Sequence, residues 1–212
     1  LPAGDRSIAT TSFVVGVLSL LLVLIGKMTI AHPLAVFSDF FVDTIRGIPM
    51  LVIILYVGLP LAGAVKSATS GYLDMAMMTR GILAIAIGYS AYMAEIFRAG
   101  IEAVPKGQIE AARTLGLRDW QIARLIMIPQ AIAIVLPALG NEFIAMLKDT
   151  SLVSILSVRD LTQRMREFQA QSFLAFEPFN SAALIYVFLT IVAASGIKAL
   201  DNIVNKSRDH ET

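Results

Sequence analysis

The sequence predicts an all-α, polytopic membrane protein, a helical bundle with about five spans. Three observations lead to this prediction. Of the 212 residues, 57% are apolar and 16% charged, and the mean hydropathy is +0.74, which lies well outside the range of soluble domains. The apolar residues are gathered into runs of about 20, the length that crosses the hydrocarbon layer as a helix. Charged residues collect between these runs, notably in a mid-chain loop at residues 104–128.

The composition also excludes several kinds of protein. Without cysteine there is no disulfide or thiolate chemistry, and His32 and His210 are too few for a histidine metal cluster. A net charge of +1 favours no nucleic-acid partner. Neither a phosphate loop nor a nucleophile or metalloprotease motif is present. We therefore expect no enzyme and no cofactor bound by this chain, with any ATP hydrolysis performed by another polypeptide.

Hydropathy places the first span at residues 8–30 and the second at 48–65, where prolines near the ends disturb the helix least. The third span begins near Gly81. It meets Glu95 and Arg98 before it has finished crossing, so that end should face protein or water.

The fourth span is placed at residues 139–158, because Pro129 and Pro137 interrupt the apolar run before it. That earlier run is interpreted as a cytoplasmic approach. Residues 159–180 should form an amphipathic connection, and residues 181–200 the last span. Apolar side chains recur at helical spacing in the connection, at Leu161, Met165 and Phe168.

Charge asymmetry orients the bundle, since Lys and Arg accumulate in cytoplasmic loops. With the N-terminus outside and the C-terminus in the cytoplasm, the inner side receives roughly twice as many of these residues as the outer side. The mid-chain loop is then cytoplasmic. Residues 1–212 are interpreted as a single transmembrane domain, and because Leu1 is not an initiator methionine we expect a fragment of a longer polypeptide.

The mid-chain loop is predicted to contain two short helices joined at Gly116. Pro105 suits a first helical turn, Gly116 the position just past a helix end, and Asp119 the cap of a helix that starts at Trp120. Apolar residues recur on the first helix at Ile109, Ala112 and Leu115. Such a helix can enter a groove on a partner protein. The alternative is an amphipathic helix lying on the membrane surface.

Several ordered motifs between residues 43 and 157 strengthen the first interpretation. Around the loop they are residues 91–101, Val104-Pro105-Lys106-Gly107-Gln108, Glu110-Ala111-Ala112 and Leu115-Gly116-Leu117. Elsewhere they are Arg46-Gly47-Ile48-Pro49, Pro129-Gln130-Ala131, Leu136-Pro137, Asn141 and residues 147–152. In this combination the chain resembles the membrane permease subunit of polar amino acid ABC importers, of the binding-protein-dependent histidine, glutamine and arginine type. Members of that family often have Ser or Thr where this chain has Arg118.

The resemblance implies a type I importer permease of five helices in the bacterial inner membrane. It would dimerise with a second permease chain, identical or different, and sit on a cytoplasmic ABC ATPase dimer that binds ATP-Mg. An extracytoplasmic substrate-binding protein, separate or fused, would deliver an amino acid, and membrane lipid would surround the bundle. The residues implied to couple the chain to the ATPase are Lys106, Glu110, Ala111, Ala112, Arg113 and Gly116.

Ionisable residues inside a span are costly and indicate a pathway or binding site. Glu142 and Asp149 are seven positions apart, so they project from nearly one helix face, about 10 Å apart along the axis. Asn141 and Lys148 form a parallel pair on a neighbouring face. This pattern suits a zwitterion, whose ammonium group would bind a carboxylate of the helix and whose carboxylate would bind Lys148. The alternative is that Lys148 only neutralises Asp149 or a carboxylate of another helix.

The third helix offers Glu95 and Tyr92 as further residues along the pathway, while Arg98 should pair with nearby glutamates. The resemblance implies glutamine at the position of Glu142 in many permeases for neutral or acidic amino acids. A glutamate there favours a cationic substrate. A different function also remains open, an ion-coupled secondary amino acid carrier that uses Glu95, Glu142 and Asp149, although no internal repeat is apparent.

Overall fold

The computed structural model describes residues 17–18 and 33–209, and the regular structure within them is entirely helical. The chain divides into two units, residues 1–47 and 48–212. Apart from residues 17–18, the predicted first span lies outside the described residues.

Helix α1 (Pro33–Gly47) belongs to the first unit. It begins at a proline, whose fixed φ suits a first helical turn, and ends at a glycine. Arg46 lies in its last turn, where a positive charge complements the helix dipole.

The second unit begins with a helical rod of 19 residues, built from α2 (Met50–Tyr56), a π-helical segment (Val57–Leu61) and α3 (Ala62–Ala68). The predicted span at 48–65 is confirmed to within a few residues. Pro60 lies inside the π-helical segment. Proline has no N–H and crowds the carbonyl four positions earlier, so the wider turn lets the rod continue past it.

Helix α4 (Met77–Glu102) is the third predicted span, and it begins ahead of Gly81. It carries Glu95 and Arg98 towards its C-terminal end. The mid-chain loop then contains α5 (Lys106–Thr114) and the short α6 (Asp119–Ile122).

From Asp119 to Leu156 the chain is one helical rod of 38 residues. It consists of α6, a π-helical segment (Ala123–Met127), α7 (Ile128–Asp149) and a 3-10 segment (Thr150–Leu156). The predicted start of the fourth span at residue 139 is therefore wrong, because the run before it belongs to the same helix. Pro129 follows directly on the π-helical segment, whose wider turn lets the helix continue past the missing N–H, as it does at Pro60.

Helix α8 (Leu161–Ser172) is the predicted amphipathic connection. Asp160 caps it, since its Oδ1 accepts a hydrogen bond from the Gln163 N–H at 2.8 Å. Its apolar residues line a cavity of about 260 Å³ against α9 (Glu177–Asp209). The part Glu177–Asp201 of α9 is long and apolar enough to span, which confirms the predicted last span.

Helix α7 packs between α4 and α9 through glycines. A Cβ at Gly140 would overlap Ile197 of α9, and a Cβ at Gly100 of α4 would overlap Val135 of α7. Small residues let helices approach closely in a membrane. There van der Waals packing holds helices together, because the hydrophobic effect does not act between apolar helices in lipid. None of the apolar window of Glu177–Asp201 is buried within the single chain, so this surface must be covered by lipid or by another chain.

Candidate functional site

The mid-chain loop turns at Gly116, as predicted. Gly116 has a φ of +78°, a conformation that favours glycine because it has no Cβ. Its N–H donates to the Arg113 carbonyl at 3.0 Å, and the Leu117 N–H donates to the Ala112 carbonyl at 3.2 Å. This pair of bonds satisfies the last carbonyls of α5. The direction in which the chain leaves α5 is therefore fixed by one residue.

The next helix starts one residue earlier than predicted. Asp119 is the first residue of α6 and Arg118 is its N-cap. The Arg118 N–H donates to Gln121 Oε1 at 2.9 Å, so a side chain three positions later satisfies this end. Asp119 instead reaches back across the turn to Arg113, with 3.3 Å between Oδ1 and Nη2. Both side chains are exposed, so this ion pair contributes little to stability.

The two faces of the mid-chain loop differ in exposure. Val104, Ala112 and Ile122 are at most 3% exposed and form the inner face. Leu115 is 82% exposed and Trp120 58% exposed. Five of the six residues implied in coupling are also exposed, namely Lys106, Glu110, Ala111, Arg113 and Gly116. Exposed apolar side chains rimmed by charges are typical of a protein–protein contact surface.

The predicted apolar stripe of α5 is thus divided between the two faces. Ala112 packs within its own chain, whereas Leu115 points outwards. Ala112 therefore supports the shape of the loop, and Leu115 is the apolar side chain that a partner can reach.

On α7 the structure separates the predicted substrate residues into two pairs. Glu142 and Asp149 are half-buried, whereas Asn141 and Lys148 are exposed. The two carboxylates therefore share the more enclosed face of the helix. Such a face can attract a positively charged group, because partial burial strengthens the electrostatic attraction.

A residue that the sequence analysis missed, Tyr89, lies against this face. The Tyr89 hydroxyl donates to Asp149 Oδ2 at 2.9 Å, and Tyr89 is 6% exposed. The one available signal was a tyrosine inside an apolar run, since a buried tyrosine hydroxyl usually needs a partner. Tyr89 joins α4 to α7 and fixes one oxygen of the Asp149 carboxylate.

Tyr92 and Glu95 lie on α4 beyond Tyr89, and both are half-buried. The Tyr92 ring lies 5.9 Å from the Tyr89 ring, centroid to centroid, at an interplanar angle of 45°. Tyr92 therefore lies beside the residue that bonds to Asp149.

The alternative of a Lys148–Asp149 ion pair is wrong for this structure. Adjacent residues on a helix do not face each other, and Asp149 bonds to Tyr89 instead. In the part of the chain that the structure describes, Lys148 makes no salt bridge. Among the same residues, no group of three or more His, Asp or Glu side chains is placed to hold a metal ion.

Comparison with known proteins gives one family. Residues 23–207 match the family described as binding-protein-dependent transport system inner membrane component. A probable glutamine ABC transporter permease protein of Bacillus subtilis is 36% identical over 198 residues, which cover 92% of this chain and 86% of that protein. An arginine ABC transporter permease protein of Haemophilus influenzae is 32% identical over 161 residues, which cover 76% and 73%.

A solved structure has the same fold. The crystal structure of an amino acid ABC transporter with histidines superimposes with a TM-score of 0.73 at 38% identity, covering 89% of this chain and 85% of that one. The helical architecture and the match to the family therefore agree.

Proposed function

This chain belongs to the family of inner membrane components of binding-protein-dependent transport systems, and we propose that it is the permease subunit of an ATP-driven amino acid importer. The observation that carries the proposal is the mid-chain loop, with its fixed turn at Gly116 and its exposed Leu115. Its similarity to permeases named for glutamine and arginine supports an amino acid as substrate. Family membership favours this function over the ion-coupled carrier.

In this proposal the mid-chain loop faces the cytoplasm, with the N-terminus outside and the C-terminus inside. Helix α5 docks in a groove of a cytoplasmic ATPase dimer, which binds ATP-Mg. Exposed Lys106, Glu110 and Arg113 contact the rim, and Ala111 keeps the helix slim enough to enter. A second permease chain covers part of the exposed apolar surface, and an extracytoplasmic binding protein delivers the substrate.

The test uses the chain with its ATPase and binding protein, and compares Gly116→Pro with the wild type. Proline cannot adopt the positive φ at this position, so the turn must change. We expect ATP hydrolysis stimulated by the binding protein to fall by about tenfold or more. Gly63→Ala is the control, because nothing lies within 4 Å of the added Cβ. A wild-type chain that recruits no ATPase, or a fully coupled Gly116→Pro chain, would contradict the proposal.

We further propose that the enclosed face of α7 binds a cationic amino acid. Glu142 and Asp149 would receive its positive groups, and the exposed Asn141 and Lys148 would orient its carboxylate. The same pathway would be lined from α4, by Tyr92 and Glu95. Tyr89 would hold Asp149 in position through the hydrogen bond described above.

Glu142→Gln tests the charge preference. Removing one carboxylate that faces a cation should lower the preference for cationic over neutral amino acids by about tenfold, since hydrogen bonds to charged groups contribute ~1.5–3 kcal/mol. Glu177→Gln, an exposed carboxylate at the start of α9, is the matched control. Competition in a transport assay gives the measurement. An unchanged preference in Glu142→Gln would refute the cationic assignment and leave the importer function standing.

A further inference from the structure

Two glutamines of the sequence motifs form a hydrogen bond with each other in the structure. The proposed function gives neither of them a role. Gln108 lies on α5 and Gln130 on α7, 22 positions later. Nε2 of Gln130 donates to Oε1 of Gln108 at 2.6 Å. This bond joins the helix with the exposed docking surface directly to the helix that carries Glu142 and Asp149.

Close packing beside the glutamine pair restricts how the mid-chain loop can move. A Cβ at Gly100, near the end of α4, would overlap Val135 and lie 3.3 Å from the Ala131 carbonyl oxygen. The α4 backbone therefore lies against α7 one residue beyond Gln130. Helix α5 follows α4 after a short turn, and the Gln108 bond ties the first turn of α5 to α7 next to this contact.

We propose that the Gln108–Gln130 pair is a clamp that passes movement of α5 to α7. The proposal rests on the proposed function, because it needs an ATPase that moves α5. At about 1.5 Å per residue, Gln130 lies about 18 Å along the helix from Glu142 and about 28 Å from Asp149. Neither glutamine touches the substrate, so both are positioning residues. Their amides are uncharged and directional, so the clamp holds independently of pH.

The experiment uses the complete importer, reconstituted in liposomes with its ATPase and binding protein. The variants are Gln108→Ala, Gln130→Ala, the double alanine variant, and Gln108→Glu combined with Gln130→Lys. Gln171→Ala, an exposed glutamine on α8, is the control. Three quantities are measured for each: ATPase affinity for the permease, the rate of ATP hydrolysis, and the amount of substrate transported per ATP.

We expect each alanine variant to transport about threefold to tenfold less substrate per ATP, with ATPase affinity within about twofold of wild type. The double variant should be no worse than either single variant, because both remove the same bond. The Glu–Lys variant should recover part of the loss, since an ion pair at this exposed position contributes up to ~1 kcal/mol.

Several outcomes would overturn the clamp. They are wild-type coupling in the single variants, losses that multiply in the double variant, no recovery with Glu–Lys, or loss of ATPase binding, which would make Gln108 a docking residue. If the wild-type chain recruits and uses an ATPase, these outcomes remove the clamp and leave the proposed function in place. A wild-type chain that recruits no ATPase overturns both.

Discussion

At the turn between α3 and α4 and at the turn between α5 and α6, an arginine pairs with an aspartate, but the two pairs differ in their surroundings. In the α3–α4 turn, Arg80 donates to the Met75 carbonyl at 2.8 Å, to the Gly58 carbonyl at 3.1 Å and to Asp74 at 3.2 Å. Lys66 also pairs with Asp74 at 2.6 Å. The Arg80 side chain is 12% exposed, so the guanidinium of this turn is bound within the chain.

In the α5–α6 turn, the pair formed by Arg113 and Asp119 is 63% and 86% exposed. Leu115 beside it is 82% exposed, and the described contacts leave its apolar surface uncovered. Each turn exposes an apolar side chain, since Tyr72 in the α3–α4 turn is 90% exposed, so the difference lies in the charged groups. The α3–α4 turn holds its arginine within the chain, whereas the α5–α6 turn leaves both of its charges exposed, which agrees with the partner contact proposed for it.

The largest expected difference between the two turns is in ATPase binding by Leu115→Asp and Leu73→Asp. Each variant places a charge on an exposed leucine of one turn. Leu115→Asp should weaken ATPase binding by about tenfold or more, since burying a leucine contributes ~1.5–3 kcal/mol. Leu73, which is 47% exposed, should tolerate the change. The measurement is the affinity of the ATPase for the purified permease. Equal losses from both variants would show that the two turns do not differ in function.

The second prediction concerns stability, and here the larger effect is expected in the α3–α4 turn. Arg80→Ala removes bonds to two backbone carbonyls and should lower the free energy of unfolding by ~1–3 kcal/mol. Arg113→Ala removes an exposed ion pair, which contributes at most ~1 kcal/mol. Thermal unfolding in detergent should therefore show the larger shift for Arg80→Ala. A shift of the same size for Arg113→Ala would mean that the α5–α6 turn also depends on its own charges.

The smallest expected effect is a pH dependence of the α3–α4 turn. The hydrogen bond from Lys66, with the charges of Lys66 and Arg80, holds the pKa of Asp74 below its usual 3.8. A carboxylate with a lowered folded-state pKa stabilises the fold above its unfolded pKa, and this stability is lost as pH falls through the folded pKa. Asp74→Asn should therefore unfold at a slightly lower temperature than wild type near neutral pH, and the difference should vanish in acid. Thermal scans at several pH values give the measurement, and a difference that grew in acid would contradict the assignment.

Local chemistry made much of this fold predictable from the sequence. The apolar runs predicted the second, third and last spans, and Gly116 predicted the turn because its positive φ depends on that residue's own lack of a Cβ. The cap of α6 was missed by one residue, because Gln121 replaces the expected capping side chain at Arg118. Errors at helix ends are small because the hydrogen bonds that fix an end come from residues nearby in the sequence.

Contacts between distant residues could not be predicted in the same way. Tyr89 and Asp149 are 60 positions apart, and nothing in either local sequence indicates that they meet. The start of α7 was misplaced because two prolines predicted a break. The wider π-helical turn directly before α7 accommodates Pro129, so the helix continues. The site thus depends on how α4 and α7 pack against each other. The pattern of apolar residues in one helix does not specify which residues of another helix it contacts.

The π-helical segment Ala123–Met127 has a consequence for the side chains that follow it. A π turn holds one residue more than an α turn, so the segment absorbs an additional residue while the helix beyond it keeps nearly the same rotation about its axis. The α-helical stretch between Ile128 and Glu142 has no such turn, and one residue inserted there would rotate Glu142 and Asp149 away from Tyr89 by about 100°. Length changes in this rod are therefore tolerated in the π-helical segment and not between it and the carboxylates.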